Sequence, residues 1–424
     1  MNITKTTHKV NIDIPEFIKS ELPNTMAFYE SHDELHSDVK YLFDHHLGKS
    51  PTKDFYEIDT NSSINIINTS SEYYRFMIRA LSKLLSDTTG MYRQFYLGME
   101  PHHLDLMFEM ARETYFGHGN GSAIYGRFDA AVDPTSGKIR GFYEFNGDTP
   151  CMLFESINLQ SFMASEINRF EDQENGWWDL AVEQAAKFKG KTVALVCYTS
   201  SIEDIVNTET LSQVIDQAGG TAIMVDIKDL HHDVLNTSKP WFVTENFIHP
   251  DYIYCLAPWE EMIVNGYDHF KDFRKWIHSQ KFLEPAWRWF MSHKGFMVYL
   301  TYLLENDESF SKYKSLPHIP TYYTNKFGNT YVSKPVTGRM SHNITIVKDH
   351  ITIKATEGEY SDTPVIYQPY VPPGSINGSN FLMGLWVSPH HDINENWVST
   401  ICIREFDDAV LGINNERFVP HILK

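Results

Sequence analysis

The sequence is poor in cysteine, with only four among its 424 residues. No two of them form a CxxC pair, and they are Cys151, Cys197, Cys255 and Cys402. A zinc ribbon needs paired cysteines and a disulfide framework needs a dense set of them, so neither is predicted. The expected compartment is therefore a reducing cytoplasm.

Long apolar segments are also missing. No run of apolar residues approaches the roughly 18 that predict a membrane-spanning helix. The N-terminal stretch MNITKTTHKVNIDIPEF lacks the apolar core of a secretory signal. We therefore expect neither a membrane partner nor secretion.

Basic residues are scarce relative to acidic ones. The chain has 36 Lys and Arg against 55 Asp and Glu, which gives a formal net charge of −19. Such a chain is not expected to follow a phosphate backbone, so nucleic acid is not an expected partner. The sign suits a cationic small molecule or a bound metal, although solubility alone also accounts for it.

The first part of the chain is predicted to contain helices followed by a hairpin. Residues 1–70 are polar and irregular. Apolar residues recur at helical spacing over 71–85 and 103–115. The period then changes to two over 122–130 and 138–146, which predicts two strands joined by the turn formers VDPTSG.

A βαβ order follows at 191–257. The strands KTVALVCY and TAIMVDI flank the helix IEDIVNTETLSQVIDQAGG, and DYIYCLA is a third strand. This alternation indicates a small parallel Rossmann-like layer. No glycine-rich fingerprint follows the first strand, so a dinucleotide site is not predicted there.

The rest of the chain is predicted to be one helical stretch and then mostly strands. Residues 284–305 are expected to be helical, with Pro285 in the first turn. From about residue 330 onward, six segments are typical of strands. They are NTYVSKPV, NITIVK, HITIKAT, PVIYQPYV, FLMGLWV and WVSTICIRE.

The predicted hairpin carries the most informative polar residues. Because side chains alternate between faces, Arg127 and Asp129 share one face of the first strand. Glu144 and Asn146 share one face of the second strand. If the turn is symmetric about residues 136 and 137, Asp129 lies opposite Glu144 and Arg127 lies opposite Asn146.

Two carboxylates across a ladder repel each other, unless a cation lies between them. Asp129, Glu144 and the amide oxygen of Asn146 form an all-oxygen set that suits Mg²⁺. The neighbouring Arg127 suits a phosphate. The alternative is a solvated hairpin with ordinary cross-strand ion pairs, and the spacing alone does not decide between them.

A second group of basic residues lies in the C-terminal half. Lys294 starts a predicted helix, Lys334 lies in a strand from which it can reach a phosphate, and Arg404 lies in ICIRE. Arg339 follows a glycine in GRMS, a candidate phosphate-covering loop. Gln368 lies in YQPY, which follows an apolar strand in the way that a hinge segment lining an adenine pocket does. The alternatives are surface charges and a core strand that leads into a proline-rich turn.

Together these segments resemble the glutathionylspermidine synthase family of ATP-grasp-type carboxylate–amine ligases. The resemblance runs from about residue 90 to the C-terminus in the family's order. Its pieces are GRFD, E-x-N-x-D-T-P, IEDIVNTETLSQVIDQAG, APWEEM, LEPAW with S-x-K, YVSKPVTGR, IYQPY, GLW, IREFDD and RFVPH. It implies an α/β (α+β) fold, with ATP-grasp-like antiparallel sheets beside the Rossmann-like layer.

The resemblance also implies ATP and Mg²⁺ as cofactors, and a role for each motif residue. The implied Mg²⁺ ligands are Asp129, Glu144 and Asn146. The implied ATP-binding residues are Lys294, Lys334 and Gln368. The implied catalytic residues, which hold the phosphate and acyl groups, are Arg127, Arg339 and Arg404. The implied substrate-binding residues are Glu260, Glu261, Thr149 and Cys151.

The implied reaction joins a carboxylate, such as glutathione or another peptide or amino acid, to a polyamine or other amine. Glu260 and Glu261, taken as neighbours on a strand, point in opposite directions, so one of them is expected to reach the amine. Two alternatives stay open, a peptide or amino-acid ligase that does not use glutathione, and a nucleotide-binding module without turnover.

Two departures from the family bear on these expectations. No cysteine precedes Cys151, so the cysteine-dependent amidase of bifunctional members is not expected. The covering loop usually reads R-E-G after its glycine, whereas this chain has Arg339, Met340 and Ser341. In addition, Cys151 stands where the family's synthases have a small hydroxyl residue.

The expected organisation has four parts: an N-terminal extension (1–70), a first catalytic part with the metal hairpin (71–190), the Rossmann-like layer (191–275) and the ATP-binding region (276–424). A monomer or homodimer is expected. The histidine pairs are expected at the surface or at helix ends, with metal binding unfavoured, and they are His45-His46, His102-His103, His231-His232 and His390-His391.

Overall fold

The computed structural model describes residues 1–32, 42–43, 52–118, 123–244, 247–388, 397–412 and 415–424. Its α-helices are α1 (Ile14–Glu21), α2 (Pro23–His32), α3 (Thr60–Leu85), α4 (Pro101–His118), α5 (Gln160–Glu166), α6 (Trp177–Ala185), α7 (Ile202–Gln217), α8 (Trp259–Phe270), α9 (Ala286–Ser292) and α10 (Gly295–Asn306). Part of the predicted N-terminal extension, with His45-His46, and the pair His390-His391 lie outside the described residues.

The strands are β1 (Ile3–Lys9), β2 (Thr52–Ile58), β3 (Gly126–Asp133), β4 (Lys138–Asn146), β5 (Thr192–Cys197), β6 (Thr221–Asp226), β7 (Leu230–His232), β8 (Trp241–Val243), β9 (Tyr252–Cys255), β10 (Lys281–Leu283), β11 (Tyr331–Pro335), β12 (Thr345–Lys348), β13 (Ile351–Ala355), β14 (Val365–Gln368), β15 (Gly374–Ile376), β16 (Ser379–Val387), β17 (Val398–Phe406), β18 (Glu416–Val419) and β19 (His421–Leu423).

The central antiparallel sheet has the strand order β18-β17-β16-β3-β4, with β15 paired to β16. Asp129 lies opposite Glu144 in the hairpin β3–β4. Arg127 lies opposite Asn146. The register predicted from the sequence is therefore confirmed at the site residues.

The reason given for that register is wrong, because the turn is not symmetric about residues 136 and 137. The pair nearest the turn is Asp133 and Lys138. Going away from the turn, the register shifts by one residue between Val132 and Ala131, and by one more between Ala130 and Asp129. Two irregularities of the bulge type thus restore the predicted pairing at the site. Bulges often lie next to functional sites, where they redirect side chains.

Helix α3 covers the apolar face of this hairpin. Tyr73 stacks on Phe142 with ring centroids 4.2 Å apart and meets Phe128 edge to face at 5.7 Å. Tyr74 contacts Phe145 at 5.7 Å. Because successive strand residues face opposite sides, this packing fixes the polar residues on the other face of the sheet.

The N-terminal region is part of a sheet rather than irregular. Strand β1 pairs with β2, and β2 pairs in parallel with β19 near the C-terminus. Helix α3 begins at Thr60 and not at Ser71, after Asp59, whose carboxylate accepts from the backbone N–H of Ser62 at 3.0 Å. The predicted boundary at residue 70 falls inside this helix, whose first turns are rich in Ser, Thr and Asn, residues that favour caps and turns by composition.

The Rossmann-like layer is confirmed as a four-stranded parallel sheet with the order β10-β9-β5-β6. The prediction omitted β10, which has only three residues. Strand β5 is apolar and buried along almost its whole length, as expected where both faces of a sheet are covered. Helix α7 joins β5 to β6.

A fourth sheet, which is antiparallel, has the order β13-β12-β11-β14. It places Lys334 and Gln368 on the neighbouring strands β11 and β14. The six strands predicted after residue 330 are all present. The α/β fold class, with antiparallel sheets and a small parallel layer, is therefore confirmed.

The helix predicted over 284–305 is in fact two helices. Helix α9 follows Pro285, and the chain becomes extended at His293 before Lys294 leads into α10. This break places Lys294 at a helix start, as predicted. Among the described residues, no helix has the length and apolar composition needed to cross a membrane.

Candidate active site

A cavity of about 670 Å³ is lined by residues of the central sheet, the fourth sheet and the α9–α10 break. Its walls include every predicted site residue except Glu261. They are Arg127, Asp129, Glu144, Asn146, Thr149, Cys151, Glu260, Lys294, Lys334, Arg339, Gln368 and Arg404. The fold therefore brings together residues that are up to 277 positions apart in sequence, from Arg127 to Arg404 (404 − 127 = 277).

Asp129 is the centre of a buried ion-pair network. Its carboxylate accepts from Arg127 Nε at 2.8 Å and from Arg404 Nη1 at 2.8 Å. Arg404 also makes a two-pronged contact with Glu416, at 2.6 and 2.9 Å. The planar guanidinium fork matches both oxygens of a carboxylate, so it holds Arg404 in one orientation.

Glu144 faces two lysines. Lys294 Nζ lies 3.1 Å from its Oε2. Burial raises the pKa of Glu144, but the ammonium groups of Lys294 and Lys334 outweigh burial and bring its pKa down to about 2. Burial lowers the pKa of Lys334 to about 8, although Glu144 opposes this shift. Two ammonium groups beside one carboxylate leave positive charge that a polyphosphate can neutralise.

The polar face of the hairpin offers an all-oxygen donor set. Asp129 and Glu144 lie opposite each other, and Asn146 is two residues further along β4. No hydrogen bond among the described residues engages the side-chain amide of Asn146. The described residues contain no cluster of three or more His, Cys, Asp or Glu that could hold a metal. Two carboxylates and an amide are nevertheless oxygen donors of the kind that Mg²⁺ binds, and Mg²⁺ keeps further positions for water and phosphate.

The two lysines approach the site from different elements. The backbone N–H of Lys294 donates to the carbonyl of Val336 at 3.0 Å, and its Nζ donates to the carbonyl of Gly338 at 2.8 Å. Lys334 is mostly buried, and its Nζ lies 5.1 Å from the centre of the Tyr143 ring. Both lysines are therefore held by contacts on the walls of the cavity.

Gln368 lies at the end of β14 and is buried. Its Nε2 donates to Thr321 Oγ1 at 3.0 Å. Apolar and aromatic groups surround this end of the cavity, and they are Val332, Ile346, Pro369 and Tyr370. Such a slot suits a flat heterocycle with polar edges. Adenine, which Gln368 is predicted to contact, is a heterocycle of this kind.

Arg339 does not point at the two lysines. Its Nη2 lies 2.9 Å from Glu260 Oε1, and its Nη1 donates to Thr149 Oγ1 at 2.8 Å. The same Nη2 is 3.6 Å from Asp148 Oδ2. The structure thus brings a predicted catalytic arginine into contact with two predicted substrate residues.

The expected strand around Glu260 and Glu261 is wrong. Both residues lie in the first turn of helix α8, where negative charge is favoured by the helix dipole. Glu260 lines the cavity, whereas Glu261 accepts a hydrogen bond from Tyr198 at 3.1 Å and lies outside the described lining. Adjacent helical residues diverge by about 100°, so the two side chains still separate.

The sequence prediction missed an acidic end of the same cavity. Its carboxylates come from the start of α7, from a π-helical turn at 155–159 and from β18, and they are Glu155, Glu203, Asp204 and Glu416. Burial raises the pKa of Asp204 to about 6 and that of Glu155 to about 7. The available signal is the acidic pair Glu203-Asp204 in IEDIV, which the sequence predicts only as part of a helix.

Cys151 lies beside this acidic end but is not activated. Burial raises the pKa of its thiol to about 12, with Asp204 raising it further and Arg127 lowering it. A nucleophilic cysteine needs the opposite shift, because the thiolate is the reactive form. Cys151 therefore lines the cavity without the lowered pKa of a nucleophilic thiol.

A buried ion pair closes the open end of the hairpin β3–β4, and the sequence prediction also missed it. Arg288 Nε donates to the carbonyl of Gly147 at 3.0 Å, and another of its N–H groups donates to the carbonyl of Tyr125. Glu284 Oε2 lies 3.4 Å from Arg288 Nε, and its Oε1 accepts from the backbone N–H of Ile124 at 2.7 Å. One residue pair thus holds the backbone just before β3 and just after β4.

Replacing Arg288 by methionine is expected to lower the free energy of unfolding by about 3–5 kcal/mol, because Glu284 is left buried without its arginine. The matched control is Arg274→Met, whose exposed partner Glu109 lies 2.9 Å away, and its expected cost is below about 1 kcal/mol. Urea unfolding above pH 8 measures the difference, since burial raises the pKa of Glu284 to about 8. Equal losses in the two variants would contradict the clamp.

The antiparallel sheets, the parallel layer and the cavity between them define an α/β protein with a polar site. The chain belongs to the glutathionylspermidine synthase preATP-grasp family, whose model matches residues 52–424. A protein from Haemophilus influenzae named as a candidate acid–amine ligase is 25% identical over 318 residues, which cover 70% of this chain and 74% of that protein.

Among solved structures, a candidate gamma-glutamylcysteine synthetase from Methylobacillus flagellatus KT is similar with a TM-score of 0.45 and 10% identity, over 75% of this chain and 84% of that one. The family and the Haemophilus relative support an acid–amine ligase of the glutathionylspermidine synthase type.

Proposed function

We propose that the chain is an ATP- and Mg²⁺-dependent acid–amine ligase that forms an amide through an acyl-phosphate. The observation that carries the proposal is the cavity in which Lys294 and Lys334 face the opposed carboxylates Asp129 and Glu144. Ammonium groups suit triphosphate oxygens, and opposed carboxylates suit a divalent cation next to them.

In the first step, a carboxylate oxygen of the donor attacks the γ-phosphorus of ATP. The bond from that phosphorus to the β,γ-bridging oxygen breaks, and ADP leaves. Lys294 and Lys334 hold the phosphates, and Arg127 and Arg404 stabilise the charge that develops on the moving phosphoryl group. Positioning and charge neutralisation are the main tasks of the protein in this step.

Asp129, Glu144 and Asn146 would hold Mg²⁺, which supplies further positive charge to the phosphate oxygens. Asp129 has a second task, because it also fixes Arg127 and Arg404 in place.

In the second step, the amine attacks the acyl carbon and inorganic phosphate leaves. The acidic end of the cavity supports a cationic acceptor, because Glu203 and Asp204 line it together with Glu155, whereas the carboxylate of Glu416 is already paired with Arg404. The amine must lose protons before the amide is complete. Asp204 and Glu155, with pKa values near neutral, suit the role of proton acceptor.

The proposed donor is glutathione or another peptide or amino acid, and the proposed acceptor is a polyamine or another amine. Cys151 lies where a thiol-containing donor is expected, and its bulkier side chain replaces a small hydroxyl group. A donor other than glutathione is therefore part of the proposal.

A second candidate function is nucleotide binding without turnover. The observation that favours it is the covering loop, where Met340 and Ser341 both have positive φ values, of 49° and 58°. Residues with a side chain adopt this conformation at a cost of about 1–2 kcal/mol each. The complete set of carboxylates and lysines in the cavity favours the ligase instead.

The two functions are separated by measuring ADP release with ATP, Mg²⁺ and panels of carboxylate donors and amines. A ligase sustains ADP release over many turnovers only when a donor and an amine are both present, and it yields a product whose mass is the sum of the two minus water. Tight binding of ATP and Mg²⁺ with no ADP release for any pair would favour the second candidate.

The pH dependence of ATP use provides a further prediction. Lys334 binds phosphate as an ammonium, and its lowered pKa of about 8 means that this charge is lost as the pH rises through 8. We therefore expect kcat/KM for ATP to fall above pH 8. In the Lys334→Arg variant this alkaline decline should disappear, because a guanidinium stays protonated. A pH–rate profile that declines equally in both proteins would contradict the assignment.

A further inference from the structure

Glu260 is fully engaged by groups of the protein itself. Its Oε1 lies 2.9 Å from Arg339 Nη2, and its Oε2 accepts from Trp289 Nε1 at 2.6 Å. Both oxygens therefore have a strong donor already. An ammonium group of a substrate would have to compete with a guanidinium for one of them.

The guanidinium of Arg339 contacts three side chains. Besides Glu260, its guanidinium reaches Thr149 Oγ1 at 2.8 Å and Asp148 Oδ2 at 3.6 Å. Asp148 is 2% exposed, and this oxygen accepts no hydrogen bond among the described residues. If Arg339 moved away, the carboxylates of Asp148 and Glu260 would remain near each other without a positive charge between them. The free-energy cost would depend mainly on Asp148, because it is the more buried of the two.

The loop that Arg339 anchors holds an unfavourable backbone conformation. Met340 and Ser341 follow it directly, both with positive φ. Side-chain contacts must offset that strain for the conformation to persist. On the other side of Arg339, the carbonyl of Gly338 accepts from Lys294 Nζ at 2.8 Å, the same ammonium that contacts Glu144.

We propose that Glu260 is a positioning residue that latches the covering loop through Arg339, rather than a group that binds the amine. The latch sets the Gly338 carbonyl, and this carbonyl in turn sets Lys294 beside the metal-binding carboxylate. Glu260 therefore acts on the nucleotide half of the reaction. This inference rests on the proposed ligase function for its kinetic part, but the latch itself is independent of turnover.

Glu260→Gln tests the latch directly. The amide oxygen of glutamine can still accept from Trp289, whereas its NH₂ group faces the donors of Arg339 and cannot replace the ion pair. Trypsin cuts after arginine, so cleavage between Arg339 and Met340 reports how often the loop opens. We expect the rate of this cleavage, followed by mass spectrometry, to rise about tenfold in the variant.

Two further variants make the proteolysis experiment decisive. Glu261→Gln removes the neighbouring carboxylate, which does not contact Arg339 in the described structure, and the cleavage rate should stay at the wild-type value. Thr149→Val removes the second contact of Arg339 and should raise the cleavage rate about threefold. This variant tests the latch by itself if Glu260→Gln does not fold. An unchanged rate at Arg339 in Glu260→Gln and Thr149→Val would overturn the latch, whatever the enzyme's activity.

The kinetic part has its own readout once a turnover assay exists. A latch predicts that Glu260→Gln lowers kcat about tenfold and leaves the KM for the amine within about twofold, because the effect passes through Lys294. A rise of tenfold in the amine KM with unchanged kcat would overturn the proposal and restore the amine-binding role. If no substrate pair turns over, the proposed function fails, and the trypsin result still decides the latch.

Discussion

Asp129→Asn is expected to lower kcat/KM for ATP by about 10³-fold, the loss seen when a main electrostatic group is removed from a reacting centre. The substitution removes one of two carboxylates that suit Mg²⁺. It also removes the anion between Arg127 and Arg404, which both contact Asp129 at 2.8 Å. These two guanidinium groups then repel each other, so they no longer hold the geometry that phosphoryl transfer requires.

The same substitution is expected to cost stability, since it breaks buried ion pairs. A control must therefore separate lost stability from lost chemistry. Asp133→Asn on the same strand serves this purpose, because Asp133 caps the turn through the backbone N–H of Thr135 at 2.8 Å and lies outside the described cavity lining. It should cost about 1 kcal/mol and leave ADP release within twofold of wild type. A folded Asp129→Asn enzyme with more than a tenth of wild-type activity would contradict the metal assignment.

Lys334→Met is expected to lower kcat/KM for ATP by about 10²–10³-fold without loss of stability. The ammonium is mostly buried, and burial lowers its pKa to about 8. A lowered lysine pKa means that folding disfavours the charged form, so the wild-type protein carries this penalty at neutral pH and the methionine variant does not. Function and stability therefore oppose each other at this residue.

The melting temperature and the ATP kinetics together test this second prediction. The variant should melt at or above the wild-type temperature and bind ATP weakly. Lys348→Met, which changes an exposed lysine on the neighbouring strand β12, should leave both quantities unchanged. If Lys334→Met retained full ATP affinity, the phosphates would have to lie elsewhere. That result would contradict the proposal that Lys294 and Lys334 together bind the triphosphate.

The hairpin illustrates what local sequence can predict. Alternation of polar and apolar residues correctly placed Arg127 and Asp129 on one face, and the opposition of Asp129 to Glu144 is confirmed. The two register shifts could not be predicted, because bulges depend on how the strand fits its neighbours. The prediction reached the right pairing through a turn geometry that the structure does not have.

Long-range contacts explain the predictions that failed or were missing. Helix α3 begins in a polar stretch that favours loops by composition, and its burial against the central sheet stabilises it as a helix. The clamp of Glu284 and Arg288 joins segments that no periodicity connects. The acidic end of the cavity likewise combines α7 with β18, and only the folded chain brings Asp204 and Glu416 to one wall.

The roles of the residues depended on the family resemblance rather than on spacing. Spacing alone left Lys294, Lys334 and Arg404 as candidate surface charges. In the structure all three line the cavity. Lys294 pairs with Glu144, and Arg404 pairs with Asp129. The same structure pairs Arg339 with Glu260, a contact that the motif order does not imply.

The most direct test of the central claim is the fate of a carboxylate oxygen in the donor. With a donor labelled with ¹⁸O at its carboxylate, attack on the γ-phosphorus requires that one labelled oxygen appear in inorganic phosphate for each amide formed. Mass spectrometry of the released phosphate measures this transfer. We predict one ¹⁸O per phosphate together with ADP, whereas unlabelled phosphate alongside a completed amide would contradict the acyl-phosphate route in this cavity.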